Sequence, residues 1–156
     1  MKKTALTLAT GLVLSVCATP AVGQKYEPNW KSLDSRPIPG WFDDAKFGIF
    51  IHWGIYSVKG VGESWSFHNG AIPHAEYMQQ IEGFTAKRYD PAAWAELIRK
   101  SGAQYAVITT KHHDGVALYN TKLAPGGRTK PLSVVAASPG GRDVVALFFA
   151  ELRKRD

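Results

Sequence analysis

The sequence predicts an α/β fold with a buried parallel sheet, for which a (β/α)8 barrel and a doubly wound sheet are the candidate architectures. Three observations point there. Two short segments, Phe47–Trp53 and Tyr105–Thr110, are apolar almost throughout, the pattern of strands covered on both faces. Each is followed by a segment of helical periodicity. Neither leads directly into a glycine-rich phosphate loop, because Gly126-Gly127 and Gly140-Gly141 follow neither strand directly and form no GxGxxG. Dinucleotide binding is therefore disfavoured.

In chain order, residues 1–23 read as a secretory signal. Lys2 and Lys3 supply the positive start, Ala5–Val16 the apolar run, and Ala21-Val22-Gly23 the small residues that precede cleavage before Gln24. The apolar run is short of the roughly 20 residues a membrane-spanning helix needs. The expected location is periplasmic or secreted, with no membrane attachment once the signal is removed. The alternative is a lipoprotein anchored at Cys17, against which Val16 is bulky where a small residue is usual. Cys17 is the only cysteine. Signal removal would leave no thiol, excluding disulfides, zinc–thiolate sites and cysteine nucleophiles.

Residues 24–40, with Pro28, Pro37 and Pro39, read as an extended lead-in, and residues 41–156 as one α/β portion. After the first strand, Ile55 to about Pro73 is a loop rich in Gly, Ser and aromatics, and a short helix covers His74–Glu82. Asp90-Pro91 starts the next helix, with Asp as N-cap and Pro at the first helical position. Trp94, Leu97, Ile98 and Ser101 mark one face of it, and Gly102 ends it. The second strand leads into a loop from Lys111 past Gly126-Gly127 and Pro131. A final helix spans Asp143–Arg153 with the apolar stripe Val144, Val145, Phe148 and Leu152.

A length of 156 residues suits one domain, and 45% hydrophobic with 21% charged residues excludes a disordered or coiled-coil chain. The net charge of +6 falls to +4 when Lys2 and Lys3 leave with the signal. Arg153-Lys154-Arg155 stands at a helix end, where cations complement the dipole. The alternative, a nucleic-acid surface, lacks an Arg/Lys stripe interleaved with aromatics, so no nucleic-acid partner is expected.

The chemistry is positional. The first strand ends in His52-Trp53-Gly54 and the second in Lys111-His112-His113-Asp114-Gly115. In a parallel barrel all strand carboxyl ends converge on the face where active sites are built. A lone strand-end histidine is more often a structural hydrogen-bonder; two such sites on neighbouring strands favour function. A metal site from His52, His112, His113 and Asp114 is the rival. Adjacent residues in extended backbone point opposite ways, so His112 and His113 could share a metal only if the loop turned sharply. No HxH or HxxxH spacing supports that, and no metal or other cofactor is expected. Sugar binding fits better, since neutral imidazole both donates and accepts hydrogen bonds. Trp65 offers a stacking face, with ordinary loop packing as the alternative, and Glu63 can accept from a hydroxyl pair. Trp53 and Trp94 are assigned to the core. Asp114 is assigned to holding a neighbouring imidazole or the loop.

These residues resemble the α-L-fucosidase family of retaining glycoside hydrolases. The resemblance is carried by Trp41 through Gly54 with Tyr56-Ser57, by Tyr77-Met78, by the run from Phe84 through Asp90 and Trp94, and by Gly102 through Gly115. It covers about 41–155. It implies a TIM-like (β/α)8 barrel, hydrolysis of terminal α-L-fucosyl linkages with retention, and a fucosylated glycan or glycoconjugate as partner. It also implies fucose-hydroxyl contacts by His52, His112 and His113, with Trp65 contributing from the first loop. Three departures stand out. The family often has Glu directly before that Trp, whereas here Ser64 takes the place and Glu63 is one position back. Val116 stands where the family usually has Phe, a change expected at the pocket wall. Residues 124–130 look like an insertion.

No residue matches the family's nucleophile or acid/base, and the resemblance implies that both lie beyond Asp156. Asp43 and Asp44 precede the first strand, at the opposite end from the histidines. The expectation is thus an N-terminal portion of the barrel, too short to close, that carries recognition residues but not the catalytic pair. Its two strands would expose apolar edges, and the 156 residues alone are expected to lack turnover. The alternatives are a secreted, non-catalytic carbohydrate-binding fragment and a metal-dependent barrel hydrolase. Linkage preference and oligomeric state are not legible.

Overall fold

The computed structural model describes residues 26–124 and 126–155, in two units that divide between Ile38 and Pro39. The leader expected over residues 1–23, with Cys17, lies outside the described residues. So does Asp156, the residue beyond which the nucleophile and acid/base are expected. Among the described residues, no helix is long and apolar enough to cross a membrane.

In the first unit the lead-in is not extended throughout. Helix α1 (Trp30–Asp34) forms because Asn29, in extended conformation, accepts from the Ser32 amide at 2.9 Å. An Asx cap of this kind is sufficient to start a single turn despite the neighbouring prolines.

The second unit opens with α2 (Gly40–Asp44) and strand β1 (Gly48–Ile51). Strand β2 (Tyr105–Ile108) pairs with it in parallel, Gly48 opposite Tyr105 and Ile51 opposite Ile108. Between them lie α3 (Trp65–His68), α4 (His74–Met78) with a following 3-10 turn, and α5 (Pro91–Ser101). Helices α6 (Val134–Ala137) and α7 (Val144–Leu152) follow β2. The strand–helix–strand–helix order is the expected one. The strands are shorter than expected, and α3 and α6 emerge inside segments read as loop. Ser133 explains α6, since its hydroxyl accepts from the Ala136 amide and nucleates one turn.

Helix α5 has the expected ends. Asp90 accepts from the Ala93 amide at 2.9 Å, Pro91 opens the helix, and Gly102 closes it in the left-handed region at φ 79°. Its buried residues are Ala95 and Ile98, while Leu97 is 68% exposed. The face therefore turns slightly from the one expected, with Ala95 and Ile98 inward and α5 packed on α7. On α7, Val144 and Phe148 are fully buried as the stripe predicts. Each such side chain contributes about 1.5–3 kcal/mol on leaving water.

The expectation of strands covered on both faces is corrected. Ile49, Ile51, Ala106 and Ile108 face the helices and join the core. On the other face Phe50 is 68% and Val107 39% exposed. Helices cover only one side of the sheet among the described residues.

Aromatic packing continues past β1. Trp53 lies 5.2 Å from Phe84 and from Tyr89, and 5.3 Å from Trp94, centroid to centroid. Both Trp53 and Trp94 thus belong to the core margin, as expected. Arg142 donates to the Ala86 and Tyr89 carbonyls at 2.7 and 3.1 Å and stacks on Tyr89, tying this segment to the approach to α7. In the basic cluster, Lys154 and Arg155 both pair with Glu151, and Arg155 also reaches Glu96 on α5.

Candidate active site

His52 and Trp53 follow β1 in extended backbone, so one faces away from the helices and the other into the aromatic core. Thr109 holds this junction. Its hydroxyl donates to the Ile51 carbonyl at 3.0 Å and accepts from the Trp53 amide at 2.9 Å, carrying the strand pairing past its last ladder bond. The end of β1 is thereby held beside the start of the His112 loop.

That loop turns sharply. The Gly115 amide donates to the His112 carbonyl at 2.9 Å, and Gly115 adopts φ 82°, which a side chain would strain. Asp114 anchors the turn: Oδ1 accepts from the Val116 amide at 2.8 Å and Oδ2 from the Tyr77 hydroxyl at 3.0 Å. Asp114 therefore holds the loop and α4, and makes no hydrogen bond to an imidazole. The opposite pointing expected for His112 and His113 is overturned by this turn. Their rings stand 5.0 Å apart, centroid to centroid, and both line one cavity.

The cavity, of about 310 Å3, is lined by Ser64, Trp65, Phe67, His68, His112 and His113. Helix α3 supplies one side. Glu63 Oε2 accepts from the Trp65 amide at 3.1 Å and so caps that helix. This places Glu63 outside the cavity lining. Trp65 is 58% exposed at the cavity edge, an aromatic surface open to a ligand. Phe67 is wedged edge-on against Tyr77 at 4.9 Å and His74 at 4.8 Å, which sets the angle of α3 over the pocket. His52 does not line this cavity, but its ring is 5.2 Å from that of His112. Three imidazoles thus form a continuous row. A larger cleft of about 460 Å3 opens beside Trp53, Phe84, Tyr89 and Trp94, with His52 at its margin.

No carboxylate lines the histidine cavity among the described residues. The catalytic pair expected beyond Asp156 therefore has no stand-in within this wall, and Asp156 itself lies outside the described residues.

Ser64 was not singled out by sequence reasoning. It is 4% exposed, and its Oγ lies 2.7 Å from His112 Nδ1. Its position directly before Trp65, where Glu was expected, is the signal that could have found it. Phe67 and His68 were also missed, because their spacing matters only once α3 forms. Val116 is 3% exposed in the core and does not line the cavity, so the expected change at the pocket wall is not seen. The Tyr56 ring stands 5.5 Å from that of His52, centroid to centroid, and its hydroxyl is buried without a hydrogen-bond partner among the described residues. Burial pushes the Tyr56 phenol up to about 12. Among the described residues, no group of three His, Cys, Asp or Glu is arranged to hold a metal ion.

An aromatic edge and converging imidazoles at the carboxyl ends of parallel strands form the kind of wall that reads hydroxyl groups over an apolar ring face. A family model for α-L-fucosidase matches residues 13–156. The chain belongs to the α-L-fucosidase family. It is 36% identical over 148 residues to the tissue α-L-fucosidase of Homo sapiens, covering 85% of this chain and 30% of that one. The α-fucosidase of Thermotoga maritima in complex with fucose superposes with a TM-score of 0.64 at 35% identity, covering 83% of this chain and 35% of that one. An α-L-fucosidase from Bacteroides thetaiotaomicron, trapped as a covalent intermediate, superposes with a TM-score of 0.63 at 25% identity, covering 74% and 27% of the two chains. The chain spans about 30% of the length of the curated relatives it matches.

Proposed function

We propose that this chain forms the fucose-recognition wall of a retaining α-L-fucosidase, which removes terminal α-L-fucosyl groups from glycans or glycoconjugates. The observation that carries the reading is the convergence of His52, His112 and His113 at the ends of two parallel strands, beside exposed Trp65. Trp65 stacks on the apolar face of the sugar, while the imidazoles donate to and accept from its hydroxyls. The two strands and the α5 crossover are the opening units of a (β/α)8 barrel, whose interior side is the face bearing Phe50 and Val107. Export to the periplasm or beyond, directed by residues 1–23, brings the wall to extracellular glycans.

Cleavage with retention needs two carboxyl groups about 5–5.5 Å apart across the glycosidic bond. Among the described residues no carboxylate lines the pocket, and both oxygens of Asp114 are engaged. Hydrolysis therefore draws on carboxylates outside this wall. The experiment is release of nitrophenol from 4-nitrophenyl α-L-fucoside by a protein in which this wall is joined to the catalytic carboxylates, and by its His113→Phe variant. The reading expects turnover by the parent and a loss of about tenfold or more in kcat/KM in the variant, as when a hydrogen bond to a substrate hydroxyl is removed. Equal rates, or turnover only of other nitrophenyl glycosides, would contradict it.

A further inference from the structure

Trp65 stands in the chain between two residues that tie α3 to the His112 loop. On one side Ser64 is 4% exposed, and its Oγ lies 2.7 Å from His112 Nδ1. That bond holds in either tautomer, since the hydroxyl gives its proton to a bare Nδ1 or accepts one from Nδ1–H. In both cases Nδ1 is occupied, and Nε2 is the ring nitrogen left for a ligand. On the other side Phe67 packs edge-on against buried Tyr77 at 4.9 Å. The Tyr77 hydroxyl donates to Asp114, which holds the turn after His112. Among the described residues, no hydrogen bond other than that of Ser64 joins residues 63–70 to residues 111–116.

We propose that Ser64 is a positioning residue that ties the Trp65 platform to His112 and reserves His112 Nε2 for a sugar hydroxyl. The proposal rests on the pocket being the fucose site, and adds the residue that sets the spacing between its stacking face and its hydrogen-bonding edge. A sugar ring carries its apolar face and its hydroxyls in fixed relation. A wall that reads both gains from holding platform and imidazole as one unit before the sugar arrives. Ser64 suits that task because it adjoins Trp65 in the chain and meets His112 across the cavity wall. Its burial keeps water from competing for the bond. Glu63, one residue earlier, is engaged by the Trp65 amide instead. Ser64 acts on the sugar through His112, at the place where a glutamate was expected.

The test is a long-range 1H–15N spectrum of the chain labelled with 15N-histidine, at about pH 8, above the ordinary imidazole range. His112→Gln assigns the resonances. Without sugar, Ser64→Ala should move the His112 Nδ1 resonance, whereas Ser64→Thr, which keeps the hydroxyl, should leave it in place. By calorimetry, L-fucose should bind Ser64→Ala about tenfold more weakly than the parent, the order of one lost hydrogen bond. Ser64→Thr should bind it nearly as well as the parent. An unmoved Nδ1 resonance or an undiminished affinity in Ser64→Ala would overturn the proposal. Equal losses in Ser64→Thr would also overturn it, because side-chain volume and not the hydroxyl would then matter. The parent supplies a reading that no misfolded variant can spoil: L-fucose should shift His112 Nε2 more than Nδ1, and the reverse would contradict the proposal. L-Fucose that shifts neither nitrogen contradicts the fucose site, and the Ser64–His112 bond is then decided by the sugar-free spectra.

Discussion

At the scale of single residues, the site depends on a few positions whose chemistry admits little substitution. Gly115 is one. Its φ of 82° closes the turn that brings His112 and His113 to one cavity, and an added Cβ would also approach the Leu132 side chain at 3.3 Å. A non-glycine residue in this region costs about 1–2 kcal/mol. Gly115→Ala is therefore expected to lower stability by about that amount, by denaturant unfolding, and to weaken L-fucose binding by calorimetry because the imidazoles are displaced. Unchanged affinity would show that the turn does not position them. Ser64 and Glu63 show how a small shift in sequence changes a role. Glu63 is spent on the Trp65 amide, while the neighbouring serine reaches His112.

At the scale of elements, the strand pair is held by a close approach. The Tyr105 ring lies over Gly48, its register partner, so that a Cβ at Gly48 would meet ring atoms at 2.2 Å. Gly48→Ala is expected to destabilise by about 1–3 kcal/mol, as overpacking does, with a matching fall in thermal midpoint. Helix α5 was the most legible element, because Asp90, Pro91 and Gly102 are all local signals and all act as the sequence predicts. The order of the two strands was legible for the same reason, as short apolar runs between turn residues. What was not legible depends on contacts distant in sequence. The burial of β1 could not be read from Phe50, because an apolar residue looks the same whether or not a layer covers it. The shared cavity of His112 and His113 needed the Asp114–Tyr77 bond, which spans 37 residues. The histidines were legible as chemistry, whereas the bond from Ser64 to His112 spans 48 residues and only the residue's place before Trp65 hinted at it.

At the scale of the whole molecule, three buried tyrosines make stability sensitive to alkali. Burial pushes the Tyr56 and Tyr89 phenols up to about 12 and raises that of Tyr77 as well. In the unfolded chain these groups titrate near about 10. A raised folded value means the native state keeps its proton while the unfolded state loses it. Stability is then complete below about pH 10 and declines between about 10 and 12, by at most about 1.4 kcal/mol per pH unit for each tyrosine. Denaturant unfolding across that range checks the slope, and Tyr89→Phe should reduce it. A flat profile would contradict the burial of these phenols.

The central claim is that the imidazole row and Trp65 receive the fucosyl group. A crystal structure of the protein grown with L-fucose tests it most directly. The account predicts the sugar ring stacked on Trp65, with hydroxyl oxygens at about 2.7–3.2 Å from His112 Nε2 and from His113. Fucose bound instead in the larger cleft beside Trp53, Phe84 and Trp94, away from Trp65, would contradict it.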